Sequence, residues 1–167
     1  MRPSTVTRRT LLAGLSAAGL TACARDYSRL PKADQVYVLK AERRLLLIRD
    51  RQPIREFPIQ LGFAPQGHKV QEGDGRTPEG LYWVDRKNPN SSFHLSLGIN
   101  YPNETDIARA EALGVDPGGD IFIHGEANKP FDKNDPDWTA GCIAVLNRQV
   151  EEIYARVLVG TPVTITA

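Results

Sequence analysis

The chain has 167 residues, and its 21 basic and 20 acidic side chains almost cancel, leaving a formal net charge of +1 at pH 7. This balance gives no sign of a basic surface of the kind that binds nucleic acid, so no nucleic-acid partner is expected. No internal repeat or low-complexity block interrupts the sequence, and its length suits one compact domain with a hydrophobic core.

The first 22 residues are predicted to be an export signal that is removed from the mature protein. Arg2, Arg8 and Arg9 form the positive region, and a short apolar run follows over residues 11–20. That run is too short to cross a bilayer as a stable helix. The Arg8-Arg9 pair is similar to a twin-arginine signal, although ordinary secretory signals also carry an arginine pair before an apolar run.

Cys23 follows a Leu-Thr-Ala sequence at residues 20–22, which is typical of a bacterial lipoprotein signal. Cleavage before Cys23 would leave a lipid-bearing cysteine as a membrane anchor, whereas cleavage by the general signal peptidase after the Ala-Cys-Ala sequence would leave no lipid. Both alternatives place the mature protein outside the cytoplasm. We expect a periplasmic, membrane-anchored lipoprotein in which residues 23–34 form a tether.

The rest of the chain, residues 35–167, is predicted to be one mainly β domain. Short apolar or alternating runs, each closed by a turn signal, predict strands over 35–40, 44–49, 54–61, 81–86, 93–97, 121–124 and 162–166. The first two strands are separated by a polar turn and should form a hairpin. Residues 67–80 contain four glycines and a proline, and therefore predict a loop.

Two short helices are predicted in the second half of the chain. Residues 106–113 have helical character, with Thr105 as the N-cap and Gly114 as the stop. Asn147 is predicted to cap a second helix that ends at Gly160. Its apolar residues recur every three or four positions and give one apolar face, formed by Val150, Ile153, Tyr154 and Val157.

A histidine and a cysteine each lie where an apolar segment meets a turn. The run 121–123 ends at His124, and Cys142 lies on a Thr-Ala-Gly-Cys turn before the apolar residues 143–146. Because Cys23 is either lipidated or removed, Cys142 is left as a single thiol in an oxidising compartment. An unpaired thiol there is either a buried small hydrophobic group or a nucleophile that needs a nearby base. The turn and His124 favour the nucleophile.

Three segments in this order resemble the L,D-transpeptidase (YkuD-like) catalytic domain of bacterial cell-wall enzymes. They are Gly-Arg-Thr-Pro-Glu-Gly at 75–80, Ile-His-Gly at 123–125 and Thr-Ala-Gly-Cys-Ile at 139–143. The resemblance extends from Val36 to the C terminus. It implies an L,D-transpeptidase-like β-sandwich with two short helices, which agrees with the mainly β pattern of the chain.

The resemblance also implies the roles of the site residues. Cys142 would be the nucleophile, His124 the general base, and the backbone carbonyl of Gly125 the group that orients the imidazole. Backbone amides around Gly141 and Cys142 would form an oxyanion hole, in which an aimed N–H donor typically lowers the barrier by about 3 to 4 kcal/mol. The lack of a Cβ at Gly141 allows the close backbone approach that this requires.

The implied substrates are the stem tetrapeptides of peptidoglycan, and neither a metal nor an organic cofactor is implied. Cys142 would form a thioester after the third, diamino-acid residue, with release of the terminal D-alanine. An amine acceptor would then give a cross-link. Water would instead make the protein an L,D-carboxypeptidase or an amidase that hydrolyses peptidoglycan or its protein links.

Two residues depart from the family motif. The family has His where this chain has Ala140, and Arg where this chain has Ala144. The first change removes a secondary polar contact at the site, and the second removes a partner for a substrate carboxylate or for a structural acid. Of the properties of the reaction, the choice of acceptor is the one that these changes are expected to alter. Chemistry at Cys142 is compatible with both.

Several further residues are candidates for substrate contact. Thr139 belongs to the cysteine motif, while His68 and Lys69 in the glycine-rich loop could line the groove and partly replace the missing arginine; the alternative is a solvated loop. His94 lies on an alternating strand, either packed or facing the site. Trp138 is predicted mainly to pack the loop that precedes the cysteine turn.

Other functional classes fit the sequence less well. A zinc hydrolase would need a ligand pair such as HExxH, which the chain lacks. The polar residues Asp132, Asn134, Asp135 and Asp137 lack the glycine and final glutamate of a calcium loop, and predict a hydrated loop instead. A catalytically inactive, peptidoglycan-binding lipoprotein would need neither Cys142 nor His124, and the chain has both.

Overall fold

The computed structural model describes residues 26–27, 29–128, 132 and 134–167. The export signal at 1–22 and the lipidation residue Cys23 lie outside the described residues, and both stay predictions. No helix in the described part of the chain is long and apolar enough to cross a membrane.

Eight strands and two helices make up the domain. The strands are β1 (Gln35–Leu39), β2 (Arg44–Arg49), β3 (Gln52–Pro58), β4 (Gly80–Ser91), β5 (His94–Ile99), β6 (Phe122–His124), β7 (Ile143–Ala144) and β8 (Pro162–Thr166). The helices are α1 (Glu104–Leu113) and α2 (Asn147–Arg156). The prediction of a mainly β domain with two short helices is therefore confirmed.

The strands form one mixed sheet in the order β3-β2-β1-β8-β4-β5-β6-β7. The β1–β8 and β6–β7 pairs are parallel, and the other neighbours are antiparallel. The two halves of the sheet share β4, whose first residues pair with β8 and whose later residues pair with β5. A bridge between Gln60 and Ala144 joins the segment after β3 to β7, so the two ends of the strand order meet.

The predicted hairpin of β1 and β2 is present, and its alternating pattern explains its burial. Val36, Val38, Leu45 and Leu47 are fully buried, whereas the residues between them are partly exposed. Successive side chains of a strand point to opposite faces, so this alternation places one apolar face on the core.

Two strands differ most from the sequence prediction, those expected over 54–61 and 81–86. Strand β3 ends at Pro58, because the chain then leaves β2 and Gln60 bonds to Ala144 instead. Strand β4 continues to Ser91 through a polar segment with weak strand propensity. Pairing with β5, with register shifts on both sides of the paired residues 86–88, maintains this extension.

The cap of α1 also differs from the prediction. Asn103, not Thr105, is the N-cap: its Oδ1 accepts hydrogen bonds from the Thr105 and Asp106 amides at 2.9 and 3.1 Å. The Asp106 carboxylate in turn accepts from the Asn103 amide at 3.1 Å, which completes a capping box. Gly114 ends the helix in the left-handed conformation, as predicted.

Helix α2 starts one residue earlier than a cap at Asn147 implies, and it ends at Arg156 instead of Gly160. Leu146 occupies the N-cap position, and the Asn147 side chain accepts a hydrogen bond from the Glu126 amide at 2.8 Å. The predicted apolar face is present, and α2 packs on β5 and β6. The helix thus covers the strand that carries His124.

We expect Ile153→Ala to lower the free energy of unfolding by about 2 to 5 kcal/mol, because it leaves a cavity between α2 and the sheet. Ile153 is 0% exposed. Leu113→Ala is the control, since Leu113 is 60% exposed and its truncation should change the free energy by less than about 0.5 kcal/mol. Urea denaturation followed by circular dichroism measures both, and equal losses would contradict the burial of the α2 face.

Candidate active site

A cavity of about 380 Å³ opens beside β5 and β6 and contains both predicted catalytic side chains, His124 and Cys142. Phe93 and Phe122 form its apolar walls. Its remaining lining residues are polar: Asn88, Ser91, Ser92, Ser96 and Asp120. The cavity therefore brings together a thiol, an imidazole and a wall of hydroxyl, amide and carboxylate groups.

His124 is the last residue of β6 and is buried. Its Nδ1 lies 2.6 Å from the carbonyl oxygen of Gly125. A carbonyl oxygen only accepts hydrogen bonds, so Nδ1 carries the proton and Nε2 retains its lone pair. The rings of Phe93 and Trp138 pack against the imidazole, with centroid distances of 4.4 and 5.6 Å. The ring is thus fixed in the tautomer that a general base requires.

Burial sets the charge of His124. It lowers the pKa of the imidazole to about 4, and the hydrogen bond to the Gly125 carbonyl only partly opposes this effect. The imidazole is therefore neutral near pH 7 and able to accept a proton.

Cys142 lies on the turn before β7, and its thiol is half-buried. The Sγ–H group donates a hydrogen bond to the Asp120 carbonyl oxygen at 3.4 Å. Burial raises the pKa of the Cys142 thiol; the Phe122 amide opposes this shift, the Asp120 carboxylate adds to it, and the Lys69 ammonium weakly opposes it. Thiol and imidazole are thus both neutral at rest, so proton transfer must accompany nucleophilic attack.

The turn that presents Cys142 is held by Thr139. The Thr139 hydroxyl donates to the Cys142 carbonyl oxygen at 2.7 Å and accepts from the Gly141 amide at 3.2 Å. Gly141 has φ +126°, and a Cβ there would lie 2.6 Å from the Arg76 carbonyl oxygen. Only glycine fits this conformation without displacing the neighbouring loop.

None of the three predicted substrate-binding residues, Thr139, His68 and Lys69, is among the described lining residues of the cavity. Thr139 is buried in the turn. His68 Nδ1 accepts from the Glu79 amide at 3.0 Å. The buried Lys69 ammonium donates to the Gln71 carbonyl and to the Asp74 carboxylate at 2.9 and 3.0 Å. These contacts brace the glycine-rich loop, so the expected substrate contacts of the three residues have no support in this geometry.

His94 is likewise engaged away from the cavity. Its Nε2 lies 2.9 Å from Glu151 Oε1, which ties β5 to α2. Trp138 packs against His124, as expected of a packing residue, and its indole N–H donates to Gln60 at 2.7 Å.

The polar surroundings of the thiol were not predicted from the sequence. Asp120 directly precedes the apolar run that ends at His124, and Ser96 is the cross-strand partner of His124. Next to the cavity, the Arg86 guanidinium lies over the Phe122 ring at 4.5 Å and donates to Asp120 Oδ1 at 2.8 Å. The position of Asp120 was visible in the sequence, whereas the proximity of Arg86 depends on strand pairing.

The two departures from the family motif lie at different places. Ala140 is exposed on the turn. Ala144 is fully buried and lines a separate cavity of about 170 Å³ together with Gln60 and Leu146. Among the described residues, no group of three or more His, Cys, Asp or Glu side chains is placed to hold a metal ion.

Comparison with known proteins identifies relatives of this domain. The family model of the L,D-transpeptidase catalytic domain (YkuD) matches residues 33–165. A curated relative, the putative L,D-transpeptidase YafK of Escherichia coli K12, is 28% identical over 147 residues, which cover 83% of this chain and 54% of the relative. The chain thus spans about half the length of that relative.

Solved structures share the fold. The helical cell shape determining protein Pgp2 of Campylobacter jejuni aligns with a TM-score of 0.60 and 28% identity, covering 78% of this chain and 46% of Pgp2. Bd1075 of Bdellovibrio bacteriovorus aligns with a TM-score of 0.57 and 24% identity, covering 79% and 47% of the two chains. The second similarity concerns the fold alone.

The raised pKa of Cys142 predicts how the thiol responds to pH. Iodoacetamide reacts with the thiolate, so the alkylation rate should keep rising to a higher pH than that of free cysteine measured in parallel. Peptide mass spectrometry distinguishes Cys142 from Cys23. A rate that reaches its plateau below pH 7 would instead indicate a preformed thiolate–imidazolium pair and would contradict the neutral resting state.

Proposed function

The chain belongs to the L,D-transpeptidase (YkuD) catalytic domain family, and on this premise we propose that it is a cysteine-dependent acyltransferase acting on peptidoglycan stem tetrapeptides. The observation that carries the proposal is the shared cavity of Cys142 and His124, in which the Gly125 carbonyl fixes the imidazole with Nε2 unprotonated. A nucleophile beside an oriented base is the arrangement that acyl transfer through a covalent intermediate requires.

In the first half-reaction, His124 Nε2 takes the thiol proton as Cys142 Sγ attacks the carbonyl carbon of the diamino-acid residue, in the peptide bond that links it to D-alanine. A carbon–sulfur bond forms, and the carbonyl oxygen takes the negative charge. The tetrahedral intermediate then loses D-alanine: the C–N bond breaks, the leaving amine takes the proton from His124, and a thioester remains on Cys142.

The second half-reaction reverses these roles. An acceptor amine attacks the thioester carbon as it passes a proton to His124. The carbon–sulfur bond then breaks, Cys142 Sγ takes the proton from His124, and an amide cross-link remains. Attack by water would yield a carboxylate, which is the hydrolytic alternative. The acceptor therefore decides whether the protein cross-links peptidoglycan or hydrolyses its stem peptides.

Asp120 favours an amine acceptor. Its carboxylate is 87% exposed at the cavity, and its carbonyl oxygen contacts the nucleophile. An exposed carboxylate in this position attracts a cationic amine towards the thioester, and its ion pair with the Arg86 guanidinium at 2.8 Å weakens this attraction without removing it. Arg86 also supplies a cation near the cavity, a role that the sequence had suggested for His68 and Lys69.

The proposed setting is the periplasm, with Cys23 as a lipid anchor and residues 23–34 as the tether. The export signal, the lipoprotein sequence and the cell-wall family support this location. Pgp2, described as a helical cell shape determining protein, supports a role in cell-wall architecture.

The central test is mass spectrometry of the protein incubated with disaccharide tetrapeptides. We expect a Cys142-linked acyl intermediate that resolves to a dimer joined through two diamino acids. Cys142→Ala should abolish both species while keeping the wild-type melting temperature, because a methyl group replaces a half-buried thiol. Tripeptide alone would indicate a hydrolase, and a fully active Cys142→Ala protein would refute the proposal.

Asp120→Asn tests the selection of the acceptor. Asn tolerates the positive φ of 54° at this position, so the backbone carbonyl should keep its contact with the thiol. Loss of one charge near the acceptor amine, on the order of 1 kcal/mol, should lower the ratio of cross-linked dimer to tripeptide about fivefold. Glu111→Gln, an exposed change on α1, is the control, and an unchanged ratio in Asp120→Asn would exclude this role.

A further inference from the structure

One buried hydroxyl links the glycine-rich loop to the nucleophile turn. Thr77 is 0% exposed, and its Oγ1 donates a hydrogen bond to the Gly141 carbonyl oxygen at 2.9 Å. The two residues are 64 positions apart in sequence. Thr77 is not among the described lining residues of the cavity, so we follow its effect on the site through the peptide to which it hydrogen-bonds.

That peptide contains the amide of the nucleophile itself. The Gly141 carbonyl and the Cys142 N–H belong to one planar unit, in which a trans bond makes the two groups point in opposite directions. Glycine has wide backbone freedom, so this unit could rotate about the bonds of Gly141. The Thr77 hydrogen bond holds the carbonyl on the loop side and thereby fixes the direction of the Cys142 N–H.

The other amide of the turn is already engaged. Thr139 accepts the Gly141 N–H at 3.2 Å. Within the described part of the chain, no group accepts a hydrogen bond from the Cys142 N–H. Of the two amides expected in the oxyanion hole, that of Cys142 is therefore the one available to a tetrahedral oxyanion.

The loop that carries Thr77 is itself rigidly held. The buried Lys40 ammonium donates to the carbonyl oxygens of Gly67 and Thr77 at 2.6 and 3.0 Å and to Glu79 Oε1 at 2.8 Å. Further along the loop, the Asp74 carboxylate accepts three backbone amides, those of Val70, Gln71 and Arg76. Because the loop is held in this way, the Thr77 hydroxyl has a fixed position from which it can orient the turn that carries Cys142.

We propose that Thr77 is a positioning residue for the oxyanion hole, which it aligns through the Gly141–Cys142 peptide. The proposal rests on the acyl-transfer chemistry proposed for Cys142 and does not depend on the identity of the acyl donor. Without the Thr77 hydroxyl, the Gly141 carbonyl loses a buried donor, and the Cys142 N–H loses the alignment that an oxyanion requires.

Two reactions of the full chain separate this role from a general structural one. p-Nitrophenyl acetate acetylates a thiol through a tetrahedral oxyanion: a carbon–sulfur bond forms and p-nitrophenolate leaves. Iodoacetamide alkylates the same thiol by displacing iodide, and no oxyanion develops. Peptide mass spectrometry quantifies both products at Cys142 separately from Cys23.

Thr77→Val should slow acetylation of Cys142 about tenfold to hundredfold, while the alkylation rate stays within about twofold of the wild type. Thr77→Ser retains the hydroxyl and should restore most of the acetylation rate. Thr161→Val is the matched control, because Thr161 is also buried and its hydroxyl accepts a hydrogen bond from the Leu158 amide. If Thr77→Val does not fold, Thr77→Ala tests the same loss with a smaller side chain.

Three outcomes would overturn the proposal: equal losses in both reactions, unchanged acetylation in the hydroxyl-deficient variant, or a wild-type protein that is alkylated but never acetylated at Cys142. Failure of the proposed function is distinguishable from these. A wild-type protein that is acetylated by the ester but never acylated by tetrapeptides would refute the peptidoglycan substrate, while the ratio of the two rates would still decide the role of Thr77.

Discussion

The site depends on the parallel pairing of β6 with β7, which sets His124 opposite Ala144. The Val145 amide donates to the His124 carbonyl oxygen at 2.9 Å, and two reciprocal bonds of 2.9 Å tie Ala144 to Gln60. A two-residue strand has little stability of its own, so β7 persists because it is bonded on both sides. The thiol and the imidazole share a cavity because these bonds fix the ends of their strands.

Burial then determines the electrostatics of the pair. The environment that lowers the pKa of His124 also raises the pKa of Cys142, since both shifts disfavour the charged form. The Phe122 amide and the Gly125 carbonyl limit these shifts without removing them. Cys142 and His124 therefore do not form an ion pair in the resting protein. In the proposed reaction, the charge that develops would be stabilised by aligned backbone groups and by the imidazole.

Much of the fold could be predicted from the sequence, and so could the two side chains, Cys142 and His124, that share the cavity. The alternation in β1 and β2 reflects a two-residue period, and the Gly114 stop reflects the left-handed conformation, both of which are local properties. His124 and Cys142 were identifiable because each follows or precedes an apolar run at a turn. The N-cap of α1 was misplaced because Asn103 and Thr105 are both good caps, and the capping box with Asp106 decides between them.

By itself, the sequence determined the mainly β architecture and the nucleophile and base candidates, because these follow from local periodicity, turn chemistry and short motifs. Only the tertiary structure decided which groups surround them. Asp120 and Phe122 meet the thiol, and Thr77 reaches the Gly141 carbonyl across 64 residues. The tertiary structure also gives His68 and Lys69 hydrogen-bond partners within the loop, and it places Arg86 beside the cavity. The physical reason is that strand pairing and buried hydrogen bonds join distant segments, and no local pattern specifies their partners.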